Sequence, residues 1–211
     1  MNNKLIKRVE NVKYLGVTID HKLKWKCHIQ NVTKKVSKCL WAICRLRRYT
    51  SLETLKMTYY ALAYSHIQYC ISTWGGAAQT NLNSLCMLQN RLARLMLWKS
   101  YRTPAKPLFK QLNMLDVDNI YKYQIGVLMY LNDKNLIRMP NKLNPLPKLH
   151  DYNTKSKTNL NYALPHIKTN IGRNSFSFIG PKIWNSIPLF IKNTSLFLFK
   201  KNYRNFLLNF A

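Results

Sequence analysis

Ile29-Gln30-Asn31-Val32-Thr33-Lys34-Lys35-Val36-Ser37-Lys38-Cys39-Leu40-Trp41-Ala42-Ile43-Cys44-Arg45-Leu46-Arg47-Arg48 carries two patterns at once. Ile29, Val32, Val36, Leu40 and Ile43 recur at steps of three and four, and at about 100° per residue they fall within an arc of about 80°. Lys34, Lys38, Arg45 and Arg48 fall within a second arc of about 80°, centred opposite the first. The stretch therefore reads as a helix with one buried face and one cationic face. It sets the fold class as mainly α and offers its outer side to phosphates.

On the N-terminal side, Asn11-Val12-Lys13-Tyr14-Leu15-Gly16-Val17-Thr18-Ile19-Asp20 is rich in β-branched residues, which predicts a strand or short hairpin bent at Gly16. The preceding Met1 to Glu10 alternates polar and basic residues without an apolar run, so no secretory signal peptide is expected. On the C-terminal side, Thr50-Ser51-Leu52-Glu53 has the form of a capping box and predicts a second helix running to about Tyr69. Leu52, Leu55, Tyr59, Leu62 and Ala63 are its apolar positions. The turn Trp74-Gly75-Gly76 ends it, and a third helix is expected from Leu82 to Trp98, lined by Leu85, Leu88, Leu92 and Leu95. Arg91 and Arg94 lie off that line. Three helices with short connections imply a compact bundle.

Met57 to Asn90 contains no Lys, Arg, Asp or Glu in a chain that is otherwise densely basic. Its His66, Gln68, Ser72, Thr73 and Gly75-Gly76 suit a buried bundle helix better than a membrane span, which needs near-continuous apolar residues. Farther along, Asp118 can cap another helix with Ile120, Tyr123, Val127, Leu128 and Leu131 on its apolar side. Pro140, Pro145, Pro147 and Pro165 mark Met139 to Asn170 as an extended connector. A short strand is expected over Phe176-Ser177-Phe178-Ile179, and Ser195 should open a last amphipathic helix bearing Phe199, Tyr203, Phe206 and Phe210.

The chain has 211 residues, with 34 Lys and Arg against 7 Asp and Glu, a formal net charge of +27. So much self-repulsion in a compact body points to a polyanionic partner, most simply nucleic acid. Five cysteines at irregular spacing, Cys27, Cys39, Cys44, Cys70 and Cys86, do not form a disulfide framework and fit a reducing compartment, nucleus or cytoplasm.

Two-metal polynucleotide synthesis needs clustered carboxylates. Glu10, Asp20, Glu53, Asp116, Asp118, Asp133 and Asp151 include no adjacent pair, so no catalytic residue is assigned, and Asp116 and Asp118 read as helix caps. His66 and Cys70 share a helix face with Cys39 and Cys44 on a neighbour, but without a Cys-x-x-Cys pair they read as packed side chains rather than a metal site. Basic residues interleaved with aromatics remain. Lys24-Trp25-Lys26, Arg45 to Tyr49, Trp98 to Arg102 and Lys200 to Arg204 combine cations for phosphates with rings for exposed bases.

Lys13-Tyr14-Leu15-Gly16-Val17-Thr18-Ile19-Asp20, then Leu23-Lys24-Trp25 and His28-Ile29, resembles the segment after the catalytic palm in reverse transcriptases of non-LTR, jockey-like retrotransposons. Tyr60-Ala61-Leu62, Ser65, Tyr69 and Trp74-Gly75 resemble the next block of that family, and Leu88-Gln89-Asn90-Arg91 with Arg94 the one after. His150 to Thr154, Gly180 to Pro188 and Phe199-Lys200-Lys201 resemble its C-terminal tail, although Lys155 stands where the family often has Arg. The resemblance implies a primer-grip-like hairpin in residues 1–21 with Tyr14, Leu15 and Gly16 as the grip. It further implies a helical thumb-like bundle in 22–102, an additional helical segment in 103–138, the connector in 139–170, and a C-terminal strand plus helix in 171–211. The metal-binding aspartates of the family, and the Mg²⁺ they hold, belong to a palm upstream of this hairpin, so the chain reads as truncated on that side and requires no cofactor of its own.

The expected function is the thumb and tail of an RNA-directed DNA polymerase that binds template and primer through phosphates, inactive alone, with the palm and fingers as partners and no membrane. Lys24, Trp25, Lys34, Lys38, Arg45, Arg48, Arg91 and Arg94 are the candidate nucleic-acid contacts. A domesticated, non-enzymatic nucleic-acid-binding protein is the alternative.

Overall fold

A computed structural model describes residues 9–137, 143 and 160–209. The chain divides into two compact units, Met1–Ala105 and Lys106–Ala211. The described residues are mainly α-helical, with an antiparallel hairpin at the start of the first unit.

In the first unit, β1 (Asn11–Tyr14) pairs with β2 (Val17–Asp20) in the register Asn11↔Asp20 to Tyr14↔Val17. The two-residue connection Leu15-Gly16 has φ of 45° and 81°. Two consecutive positive φ values make the type I′ turn that matches strand twist, with Gly16 carrying the second at no steric cost. Asp20 then ends the hairpin, its carboxylate accepting from the Lys24 and Trp25 amides at 2.9 and 2.7 Å. Burial pushes that carboxyl up, but the backbone donors outweigh it and its pKa is lowered.

Helix α1 (Lys26–Leu46) buries Ile29, Val32, Val36, Cys39 and Ile43, while Leu40 is half-buried. It stops at Leu46, whose carbonyl accepts from the Tyr49 and Thr50 amides and the Thr50 hydroxyl. Arg48 therefore sits in the following turn rather than on the helix. The capping box is displaced likewise. Ser51, not Thr50, caps α2 (Leu52–Tyr59), accepting from the Thr54 amide, and Glu53 pairs with Lys56 at 3.5 Å instead of reaching back.

The helix continues through a π-helical turn, Tyr60–Tyr64, into α3 (Ser65–Gln68). Leu55, Tyr59, Ala63 and Ile67 are its buried residues, whereas Leu52 and Leu62 are exposed. A strict four-residue step drifts around an α-helix by about 40° each time. The π turn absorbs that drift by inserting a residue, and keeps the row against the core. Cys70 in a left-handed conformation leads into α4 (Ile71–Trp74), where Trp74 is fully buried and donates through Nε1 to the Tyr69 carbonyl at 3.0 Å. Helix α5 (Gln79–Met96) buries Leu82, Leu85, Gln89, Leu92, Ala93 and Met96. Leu88 and Leu95 are displaced to half-buried flanks. Asn81 bonds the Lys24 carbonyl near the start of both helices, and Arg47 bonds the Leu95 carbonyl near their ends, so α1 and α5 run parallel.

In the second unit, α6 (Lys106–Leu112) precedes α7 (Val117–Asp133). Asp116, not Asp118, caps α7, accepting from the Asn119 amide at 2.8 Å. Asp118 falls inside the first turn, where a carboxylate favours the helix dipole without bonding an orphan amide. The short helices α8 (Asn170–Arg173), α9 (Phe176–Ser186) and α10 (Leu189–Lys192) lead to α11 (Leu196–Asn209).

The expected strand Phe176–Ile179 is the first turn of α9. Gly180, Pro181 and Trp184 are its buried residues, a three-to-four period that only a helix satisfies, and Pro181 is accommodated inside it at the loss of one ladder bond. Tertiary packing overrides the strand-like alternation here: Gly180 lies so close to Met129 on α7 that a Cβ would stand 2.7 Å from its sulfur.

Helix α11 runs antiparallel to α7. Its Phe199 stacks on Tyr130 at 4.4 Å, Tyr203 donates to the Lys122 carbonyl, and Leu207 accepts from Asn119. Phe206 is half-buried, and Phe210 lies outside the described residues. Most of the 139–170 connector is also outside them. Within its described end, Tyr162 is buried, its backbone paired with the Asn185 amide group in both directions and its hydroxyl bonded to Asp133 at 3.1 Å, while Leu164, Pro165, His166, Lys168 and Thr169 are exposed.

Candidate nucleic-acid interface

Lys34, Lys38 and Arg45 are exposed on the outer face of α1, with Arg48 exposed just beyond its end. From Lys34 to Arg45 the helix rises about 16 Å. Trp41 stands among them, 66% exposed, with the Arg45 guanidinium 5.5 Å from its ring. Trp41 was legible in the sequence, since its helical position falls between those of Arg48 and Lys34.

Arg91 and Arg94 line a groove of about 520 Å³ between α1 and α5, together with Thr33, Ser37, Ser84, Met87, Leu88, Asn90 and Tyr101. On the wheel of α1 the cationic stripe lies beyond Ser37 from Thr33, with Lys34 about 60° and Lys38 about 100° past Ser37, so neither lysine lines the groove. Arg91 is exposed. Arg94 is half-buried and holds the chain after α5: its Nε donates to the Thr103 carbonyl at 2.8 Å and its guanidinium lies 5.7 Å from the Tyr101 ring.

Arg47, which the cationic stripe omits, takes a similar structural part. It covers the Trp98 ring at 3.8 Å and donates to the Leu95 carbonyl at 3.4 Å. Its helical angle coincides with that of Ile29, so its stem must run against the bundle while the guanidinium reaches a partner. In the second unit Arg204 donates to the Asn113 side chain and carbonyl, which engages one of the Lys200 to Arg204 cations in holding the α6–α7 loop.

Lys24 and Trp25 lie elsewhere, in the turn between β2 and α1. Lys24 is exposed, and the half-buried Trp25 adopts a left-handed conformation at the start of α1. At the hairpin tip, Tyr14 and Leu15 are 64% and 73% exposed, and Gly16 rests against the ring of Tyr69. The structure thus brings Arg91 and Arg94 to one groove and leaves Lys34, Lys38 and Arg45 on the outer face of α1, while the tip forms a separate feature fastened to the end of α3.

His28 belongs to the core. It is buried, accepts from the Thr18 amide through Nδ1 at 3.3 Å, and meets Trp74 edge to face at 5.5 Å. Burial, and then the charge of Lys35, lowers its pKa, so it adds nothing to the positive surface at neutral pH. Cys39 is buried as well, and burial pushes its thiol up to about 11. Among the described residues no three His, Cys, Asp or Glu converge as metal ligands, and no helix is long and apolar enough to cross a membrane.

Among the described residues the groove is lined by no acidic side chain. Among the described residues Lys56 pairs with Glu53 and Lys134 with Asp133, whereas Lys34, Lys38, Arg48 and Arg91 form no ion pair.

Three curated proteins are similar to parts of this chain. A stretch of 98 residues, 44% of this chain, is 32% identical to the RNA-directed DNA polymerase from mobile element jockey of Drosophila melanogaster, covering 11% of that protein. A stretch of 117 residues, 54% of the chain, is 29% identical to the probable RNA-directed DNA polymerase from transposon BS of the same species, covering 13% of it. The jockey polymerase of Drosophila funebris matches 44% of the chain at 29% identity. The chain spans between 11% and 13% of the length of these relatives. No protein-family model matches it, and no solved structure does. Over about half of its length, the chain is therefore similar to a small part of the RNA-directed DNA polymerases of jockey and BS mobile elements.

Proposed function

We propose that this chain forms the thumb and C-terminal portion of a retrotransposon RNA-directed DNA polymerase. In this reading residues 1–21 are the grip-like hairpin and 22–102 the thumb-like bundle, and palm and fingers supply the catalytic aspartates and their Mg²⁺. The chain binds template and primer through the phosphate backbone and does not polymerise alone. The observation that carries this is the set of exposed, unpaired cations on α1, in the turn after it and on α5, namely Lys34, Lys38, Arg48 and Arg91, which have no acidic partner among the described residues. Phosphate contacts position a protein on nucleic acid without reading sequence, which suits a polymerase thumb that must accept any template.

Counterion release makes the proposal measurable. If the five exposed cations Lys34, Lys38, Arg45, Arg48 and Arg91 neutralise phosphates on a duplex, the logarithm of the binding constant falls with the logarithm of salt at a slope of about −4.5. Fluorescence anisotropy across a salt series checks it, and a slope near zero refutes phosphate binding.

A further inference from the structure

The α1–α5 groove holds more than phosphate binding requires. Its volume of about 520 Å³ lies within the roughly 300–1,000 Å³ typical of small-ligand clefts. Tyr101 at its mouth is 85% exposed, yet it is not a loosely held surface ring. Arg94 lies 5.7 Å from that ring and is itself anchored on the Thr103 carbonyl, while Ser100 accepts from the Thr103 amide through its carbonyl and from the Arg102 amide through its hydroxyl. The turn that carries Tyr101 is thus held on both sides. Met87 and Leu88 give the groove an apolar wall, and Asn90 and Ser84 offer polar groups beside it.

A positioned open aromatic face, an apolar wall, a few polar groups and a free cation are the parts that take an unstacked base with its phosphate. A base within a duplex is already stacked and paired, and cannot enter. We infer that the α1–α5 groove holds one unpaired nucleotide, its base stacked on Tyr101 and its phosphate against Arg91. This rests on the reading above that this face meets nucleic acid.

The test uses the full chain and labelled duplexes that are either blunt or extended by a short single-stranded overhang, the overhang being DNA in one arm and RNA in the other. Anisotropy should show an overhang, in at least one arm, bound about five-fold or more tighter than the blunt duplex. Tyr101→Ala should abolish that gain while leaving blunt-duplex affinity and its salt slope unchanged, and Tyr101→Phe, which retains the ring, should preserve it. A 2-aminopurine in the overhang should be quenched by the wild-type chain and not by Tyr101→Ala. Equal affinity for blunt and overhung duplexes in both arms, or a gain that survives Tyr101→Ala, overturns the nucleotide site while leaving phosphate binding intact. Absence of binding to every duplex overturns both.

Discussion

The hydroxyl of Tyr69 donates to the carbonyl of Leu15 at 2.5 Å, joining residues 54 apart in sequence. The same ring covers Gly16, where a Cβ would stand 3.4 Å from Tyr69 Cε1. The tip of a two-stranded hairpin, marginal by itself, is thereby held against the end of the helix that runs through α2 and α3. Tyr69→Phe keeps the packing and removes the bond. It should lower stability by about 1 kcal/mol in urea denaturation. Amide exchange should quicken over residues 11–20 while the helices remain protected.

Inside the bundle, Gln89 donates to the hydroxyl of Tyr59 at 2.8 Å, and both residues are buried. Burial, only partly offset by Gln89, pushes the Tyr59 phenol upward, so it stays a neutral hydroxyl that needs its partner. Gln89→Leu should cost about 1–3 kcal/mol, because a buried hydroxyl is left unsatisfied. Adding Tyr59→Phe should recover part of that loss. Denaturation of the two single variants and the double variant measures the coupling directly.

The first unit offers a charge test independent of salt. Changing Lys34, Lys38, Arg45 and Arg48 to Glu should abolish duplex binding, since all four are exposed and lie along one side of α1 and its end. Helical circular dichroism should survive because none of them is buried. Binding that persists unchanged would relocate the interface to another surface.

Lys192 gives the second unit a distinct pH signature. It is buried, donates to Asn161 Oδ1 at 3.1 Å and lies 5.2 Å from the Trp184 ring. Burial lowers its pKa to about 8 against the opposing pull of Asp133. In the unfolded chain the amine keeps a value of about 10.4, so between roughly pH 8 and 10 the unfolded state holds more protons and stability rises with pH. Below about pH 8 the cost of the buried charge is fully present. Above about pH 10 the buried Tyr162 and Tyr203 phenols, pushed up mainly by burial, reverse the trend. Lys192→Met should be more stable than wild type at pH 7 and should lose the rise between pH 8 and 10. Urea midpoints at the two pH values check both.

Helix α7 lies against Tyr203 at Gly126, where an added Cβ would overlap the ring. Gly126→Ala improves intrinsic helix propensity by about 1 kcal/mol. The ring is fully buried and tied to the Lys122 carbonyl, so it has no room to move, and overpacking of about 1–3 kcal/mol should prevail. A lowered Tm is expected, and a raised one would show that Tyr203 can yield.

How far the sequence could be read depends on the range of the interaction. The hairpin, the amphipathic α1 and the positions of α5 and α11 follow from periods and turn residues within a few places of one another. Ser51 took the place of Thr50 as a cap, and of the two candidates Asp116 and Asp118 only Asp116 serves, because a cap is decided by which oxygen meets the amide, a difference of one or two residues that residue type alone does not resolve. Phe176–Ile179 failed for another reason, since four half-buried residues look alike in either period until a neighbouring helix is present.

Amino-acid order alone determined that this chain would be mainly helical, strongly cationic and patterned like the polymerases of jockey-type elements, because charge and local periodicity are properties of the chain itself. Tertiary structure alone decided which cations remain available. Arg47, Arg94 and Arg204 are held by Leu95, Thr103 and Asn113, while Lys34, Lys38 and Arg91 stay open to solvent. A carbonyl 9, 48 or 91 residues away can engage a guanidinium only once packing has brought the two together.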